Sequence, residues 1–203
     1  MKIIVEQLGK RFNQEWIFKD FSYSFQLNQS YAIIGVNGSG KSTLLQVIAG
    51  IQPPSAGKLV YQATNQKNIE ADQIFRYLSL AAPYLELIEE FTLWEHINFH
   101  RRFKKLPTTL SNEALITLLR LEKARNKFIK NFSSGMKQRL KLGLAFYSTA
   151  PVLLLDEPTS NLDSENMAWY KKEVLQNRKD RLIIVSSNQP EEYDFCEHTI
   201  HLK

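Results

Sequence analysis

Cysteine is nearly missing from this chain: Cys196 is the only one in 203 residues. No disulfide can close within it, and a lone thiol reads as a packing group suited to a reducing compartment. Long apolar runs are missing too. No stretch approaches the twenty or so residues that cross a bilayer, which excludes a spanning helix. Repeats, low-complexity tracts and Pro/Gly-rich linkers are absent, so one domain with at most a subdomain is expected. A hydrophobic content of 43% against 23% charged excludes a disordered chain. Met1-Lys2-Ile3-Ile4-Val5-Glu6 meets an acid at once and shows no cleavable signal pattern, so a cytoplasmic place is expected.

Acid is in the minority, and the net charge is +5. The densest basic cluster, Arg101-Arg102-Phe103-Lys104-Lys105, reads first as a solvated helix end and second as a contact with a membrane partner or lipid headgroups. Elsewhere aromatics do not interleave with basic residues as in a strand-binding groove, so nucleic acid is not expected as a partner. Histidine is also scarce: His96, His100, His198 and His201. His96 and His100 lie four apart in a helical stretch and read as a packed or solvated pair rather than a metal site.

Glycine is sparse, yet three of its eight residues fall in Gly35-Val36-Asn37-Gly38-Ser39-Gly40-Lys41-Ser42-Thr43. This fits the phosphate-binding pattern G-x-x-x-x-G-K-[ST], with the apolar Tyr31-Ala32-Ile33-Ile34 before it and the helical pattern of Leu44, Leu45, Val47 and Ile48 after it. Gly35, Gly38 and Gly40 let the backbone turn its N–H groups inward. The following helix adds its positive end. Lys41 brings a point charge to terminal phosphates, and the Ser42 hydroxyl can hold Mg²⁺.

Around this loop, strands are expected at 3–7, near 16–18, at 21–25, 31–34, 58–61 and 77–80. A helix runs from Lys41 to about Ala49, and Gly50 and Pro53-Pro54 stop it. Residues 84–130 turn helical, with Leu93, Ile97, Leu115, Leu118 and Leu119 on apolar faces and a helix start at Ser111-Asn112-Glu113. A helix beginning near Ser133 runs to about Tyr147. Val152-Leu153-Leu154-Leu155 reads as a strand buried on both faces. A helix at 164–178, a strand at 182–186, a short helix from Glu191 and a strand near 199–202 complete the chain. Strands alternating with helices imply a mostly parallel sheet.

The buried strand runs into Asp156-Glu157-Pro158. Ligands sit beyond the carboxyl ends of strands in open α/β sheets, where both acids would lie. Asp156 suits a Mg²⁺ ligand and Glu157 a base that polarises water. Phe132-Ser133-Ser134-Gly135-Met136-Lys137-Gln138-Arg139 precedes a helix, with Ser133 a good cap and Gly135 permitting close approach of a ligand. In isolation it reads as an ordinary helix start. Its position, about twenty residues before the acidic strand, makes it a second candidate anion site.

Taken in order, these segments resemble the nucleotide-binding domains of ABC ATPases over nearly the full chain. Residues 35–43 match Walker A, and residues 153–158 match Walker B with its glutamate. Phe132-Ser133-Ser134-Gly135-Met136 is similar to the family signature, and Ser160-Asn161-Leu162-Asp163 to the D-loop. Phe12 falls where the family places an aromatic that stacks on adenine. The wording and length look most like single-domain exporter-type subunits.

The resemblance implies a P-loop NTPase core with a mostly parallel sheet, an N-terminal antiparallel β subdomain and an inserted α-helical subdomain. The core would span 1–83 and 131–203, and the insertion 84–130. It implies ATP and Mg²⁺ as ligands: Phe12 and residues 35 and 37–43 on the nucleotide, Ser42 and Asp156 on the metal, and Glu157, Lys41 and Asn188 in catalysis. Ser133, Ser134, Gly135 and Asp163 would meet the nucleotide of a second copy in a head-to-tail dimer. Separate transmembrane permease subunits would hold the protein on the inner face of the membrane and convert closure into transport.

The chain departs from the family in two places. A glutamine is usual after the strand at 77–80, but here Ser79-Leu80-Ala81-Ala82-Pro83 follows. A histidine is usual after the strand at 182–186, but here Asn188 takes that position and can neither carry a proton nor a charge. Slow hydrolysis with intact ATP binding is expected. Two alternatives remain: an ATP-gated dimerisation switch with weak turnover, and a soluble ABC ATPase outside transport. The lack of long coiled-coil insertions and of a second such domain argues against the latter.

Overall fold

The N-terminal apolar pattern folds into one long hairpin rather than three short strands. Strands β1 (Lys2–Phe12) and β2 (Glu15–Gln26) pair antiparallel from Lys2↔Gln26 to Phe12↔Glu15 across the turn Asn13-Gln14. Register shifts at Val5/Leu8, Leu8/Lys10 and Lys10/Arg11 interrupt the alternation. Such bulges break a period of two, so the sequence pattern shows fragments where the backbone is continuous. The computed structural model describes residues 1–202.

The remaining elements follow in order: β3 (Ser30–Ile34), α1 (Lys41–Ile48), β4 (Ala56–Gln62), β5 (Asn68–Ile69), β6 (Leu78–Ala81), α2 (Leu93–Phe103), α3 (Asn112–Leu118), α4 (Ser134–Phe146), β7 (Val152–Asp156), α5 (Ser164–Gln176), β8 (Leu182–Ser186), α6 (Pro190–Tyr193) and β9 (His198–His201). One sheet has the order β2-β1-β4-β5, and the other β6-β7-β8-β3-β9. The hairpin sheet is antiparallel. In the second sheet β7, β8, β3 and β9 run parallel. The short β5 and the 3₁₀ turn Ala71–Arg76 carry no periodic signal and were not expected.

The chain divides into two compact units. The first comprises Met1–Leu80, Pro151–Glu157 and everything from Arg178 onward. Its core joins both sheets around α1: Leu44, Leu45, Val47 and Ile48 pack with Ile3, Phe25, Ile33, Leu154 and Ile184. Each such side chain stabilises by about 1.5–3 kcal/mol. Strands β7 and β8 are buried at every residue, as a sheet covered on both faces requires.

The second unit comprises Ala81–Ala150 and Pro158–Asn177, so it takes in α4 and α5 as well as the helical stretch 84–130. Packing explains this breadth. A Cβ added at Gly143 in α4 would stand 1.9 Å from Leu119 Cδ2, so only glycine lets α4 and the end of α3 meet so closely. The Trp169 indole N–H of α5 donates to the Leu118 carbonyl at 3.1 Å. The Tyr147 hydroxyl donates to the buried Glu173 carboxylate. Helix α2 starts on a capping box, with Thr92 accepting from Glu95 N at 3.3 Å and Glu95 Oε2 accepting from Thr92 N at 2.8 Å.

Arg101 is not a free surface charge. Its Nε donates to Asn112 Oδ1 at 2.5 Å and its guanidinium also donates to the Leu110 carbonyl. His96 is buried and His100 half-buried, and burial holds the His100 imidazole down at about 4, so it is neutral at physiological pH. Burial pushes the Cys196 thiol up to about 12, which leaves it inert. No helix among the described residues is long and apolar enough to cross a membrane.

Candidate functional site

Residues 35–40 leave the carboxyl end of β3, and the chain re-enters regular structure at Lys41, the first residue of α1. Two glycines in this turn are fixed by sterics. A Cβ on Gly35 would stand 2.6 Å from the Leu202 carbonyl oxygen. Gly40 has φ +90, and a Cβ there would stand 2.5 Å from Ile17 Cγ2. The loop closes on itself through Ser39 N to Val36 O at 3.1 Å, and the helix begins with Leu44 N to Gly40 O at 2.8 Å.

Lys41 is buried, only 6% exposed. Its ammonium donates to the Gly35 carbonyl at 2.8 Å and the Val36 carbonyl at 3.2 Å, which pins the charge against the loop. Beside it lies a cleft of about 280 Å³ lined by Ile17, Asn37, Gly38, Gly40, Lys41, Ser42, Thr43 and Glu157. Several loop residues and the acid at the end of β7 therefore share one concavity. Ile17 was not expected there. It comes from the hairpin and reaches the loop only because Gly40 has no side chain.

Parallel pairing brings Asp156 opposite Ser186. Asp156 is 1% exposed, and neither carboxylate oxygen has a hydrogen-bond partner among the described residues. Burial pushes its carboxyl above the usual carboxylate range. The Ser42 and Ser186 hydroxyls lie near enough to pull it part of the way back, though neither is aligned as a full hydrogen bond. The Glu157 charge raises it further and Lys41 lowers it. A desolvated carboxylate with both oxygens unpaired, beside a serine hydroxyl, is a hard-oxygen donor set of the kind that Mg²⁺ takes. No group of three or more His, Cys, Asp or Glu among the described residues could hold a metal by itself.

The raised Asp156 carboxyl fixes the sign of a stability effect. The folded chain holds this proton more tightly than the unfolded chain. That contribution is full below the ordinary carboxylate range and is lost as pH rises through the folded value. Once ionised, the unpaired group is a burden on the metal-free protein. Asp156→Asn is therefore expected to stabilise the ligand-free protein by about 1–3 kcal/mol at pH 7. The melting temperature should rise by several degrees, and the gain should shrink as pH falls and the carboxyl takes up its proton. An unchanged or lower melting temperature at pH 7 would contradict this.

Glu157 follows with φ 42, a left-handed conformation that few non-glycine residues adopt. Its N–H donates to the Ser186 carbonyl at 2.9 Å, which holds the turn against β8. Two residues past β8, Asn188 Nδ2 donates to Asn37 Oδ1 at 2.6 Å. Phe12 does not line the cleft. It stands 45% exposed at the end of β1, with the Lys10 ammonium 5.1 Å from its ring centroid.

The other candidates belong to the second unit. Ser133 caps α4, accepting from Met136 N at 3.3 Å. Ser134 and Gly135 form the first turn. A Cβ on Gly135 would meet only the Asn161 carbonyl at 3.4 Å, so the fold itself does not demand glycine there. Asp163 caps α5, accepting from Asn166 N at 2.9 Å. Past β6, where the resemblance leads to the expectation of a glutamine, the Ala82 and Pro83 carbonyls accept from the Lys141 ammonium at 3.5 and 3.0 Å. Lysine at 141 gave no signal in the sequence, because the contact spans 58 residues.

Comparison with known proteins follows the same lines. The family model described as ABC transporter matches residues 18–160. The chain is 30% identical over 179 residues to the sulfate/thiosulfate import ATP-binding protein CysA of Synechocystis sp., covering 85% of this chain and 50% of that protein. It is 28% identical over 205 residues to the uncharacterized ABC transporter ATP-binding protein YybJ of Bacillus subtilis, covering 98% of this chain and 92% of that one. A solved ATP binding subunit of an ABC transporter superposes with a TM-score of 0.84 at 26% identity, covering 100% of this chain and 86% of that one. The chain thus spans half the length of the Synechocystis relative and most of the Bacillus one.

Proposed function

The chain belongs to the ABC transporter family, and on that premise we propose that it is the ATP-binding and ATP-hydrolysing subunit of such a transporter, powering transport through separate transmembrane subunits. One observation carries the reading: the buried Lys41 ammonium and the Ser42 hydroxyl line a glycine-bearing cleft that also holds Glu157, and the buried, unpaired Asp156 carboxylate lies beside Ser42.

The triphosphate lies along residues 35–43, drawing on inward N–H groups and the start of α1. Lys41 redirects a donor from its loop carbonyls to a phosphate oxygen. Ser42 and Asp156 would hold Mg²⁺, which would supply neutralising charge to the phosphates. Glu157 accepts a proton from the water that attacks the γ-phosphorus, and the bond to the β-phosphate oxygen breaks to leave ADP and inorganic phosphate. Phe12, exposed at the edge of the hairpin, offers a face to adenine.

Two copies meet head to tail, so that Ser133, Ser134 and Gly135 of one cover the ATP of the other, with Asp163 close by. Gly135, unconstrained by its own surroundings, keeps room for that approach. ATP favours the closed pair over the open one by its differential affinity, and the transmembrane partners turn that motion into transport. The protein sits at the inner face of the membrane through those partners.

Asn188 supports a second reading, an ATP-gated dimerisation switch, because it already donates to Asn37 and brings no charge to the phosphates. Titration calorimetry with Mg-ATP and steady-state phosphate release separate the readings. Heat of binding with continuous phosphate release supports the ATPase, binding alone supports the switch, and no heat sinks both. Asn188→His is expected to raise turnover about tenfold, the scale of one charge-assisted hydrogen bond. An unchanged or lower rate counts against the assigned effect of this position.

A further inference from the structure

We propose that Asn188 is a positioning residue that acts on the nucleotide through Asn37 rather than by touching it. The inference rests on the ATP reading above. The two asparagines lie 151 residues apart, and their side chains meet at 2.6 Å, with Asn188 Nδ2 donating to Asn37 Oδ1. Asn37 lines the cleft beside Gly38, Gly40 and Lys41, and Asn188 does not.

An asparagine side chain has one end that only accepts and one that only donates. A free amide on an exposed loop can turn either end toward a ligand. Here Asn188 occupies the oxygen of Asn37, so the Asn37 NH₂ group is the end left for the cleft. A donor there suits the anionic tail of a nucleotide triphosphate, and a carbonyl oxygen would repel it. The contact therefore holds the Asn37 side chain in place at the cleft before the ligand arrives, and removes an ordering cost that binding would otherwise carry.

Both residues are exposed, so the bond contributes little to the fold. Its consequence lies in how the loop reads the phosphate tail. The longer tail of ATP uses the donor more than ADP does. This gives the substitution at 188 a role of its own: it sets the phosphate loop instead of supplying charge.

A double-mutant cycle tests the coupling. Mg-ATP and Mg-ADP affinities are measured by calorimetry for the unsubstituted chain, Asn37→Ala, Asn188→Ala and the double variant, with melting temperatures as a check on folding. Each single change is expected to weaken ATP about tenfold and ADP less than about twofold. The double variant is expected to bind ATP no more weakly than Asn37→Ala, because Asn188 has nothing left to orient. Multiplying losses in the double variant, or equal losses for ATP and ADP, overturn the proposal while leaving the ATPase reading intact. Failure of the unsubstituted chain to bind ATP overturns both.

Discussion

Lys41→Ala is expected to weaken Mg-ATP binding by about thirtyfold or more while leaving the fold intact. Hydrogen bonds from a charged donor are worth about 1.5–3 kcal/mol, and about 2 kcal/mol corresponds to about thirtyfold in affinity. The ammonium is 6% exposed and held by two loop carbonyls, so its charge is already desolvated and aimed. Little reorganisation is left for binding to supply. Removing the charge leaves the Gly35 carbonyl without its donor while the Val36 carbonyl keeps the Ser39 N–H, and neither residue is buried, so water can reach both. The melting temperature of the ligand-free protein should therefore stay within a few degrees. Calorimetry with Mg-ATP decides the matter, and an affinity within threefold of the unsubstituted chain would remove the basis of the phosphate-cleft assignment.

The features this prediction uses were legible because they are local. The run of residues 35–43 carries its own turn, charge and helix start, and the structure gives it the expected form. Ser133 as a cap and the doubly buried strand before Asp156 are also written in short stretches, and they appear as β7 and α4. What could not be read depends on pairing across long separations. Ser186 comes to Asp156 only through the register of β7 on β8. Ile17 enters the cleft wall from a strand whose pattern is broken by bulges. The Asn37–Asn188 bond joins two polar loops that have no apolar pattern to place them. Lys141 on the Pro83 carbonyl is a tertiary contact made by a residue that, in sequence, looks like any other helix lysine. Local chemistry thus announced the ligand, while the details that tune the site come from sheet register and loop contact.

Glu157 shows how such tuning and chemistry coincide, and its substitution should have the largest effect on turnover. Glu157→Gln is expected to reduce phosphate release by about a hundredfold or more, the scale of losing a general base. ATP affinity should change less than about threefold. Glutamine keeps the shape and the backbone contact to Ser186 but cannot take a proton. The carboxylate faces the cleft from a residue with φ 42, a conformation that costs on the order of 1 kcal/mol outside glycine. Strain of this kind persists where surroundings over-determine it, and here the buried β7 and the 2.9 Å bond to the Ser186 carbonyl do so. Glu157→Gly should then separate fold from function: it relieves the strain, so the melting temperature should hold or rise, while phosphate release falls as far as in the glutamine variant. Turnover in Glu157→Gln equal to that of an active unsubstituted chain would deny this acid the proton-accepting role. If all three proteins bind ATP and none releases phosphate, the left-handed turn at 157 serves a switch that closes on nucleotide without consuming it.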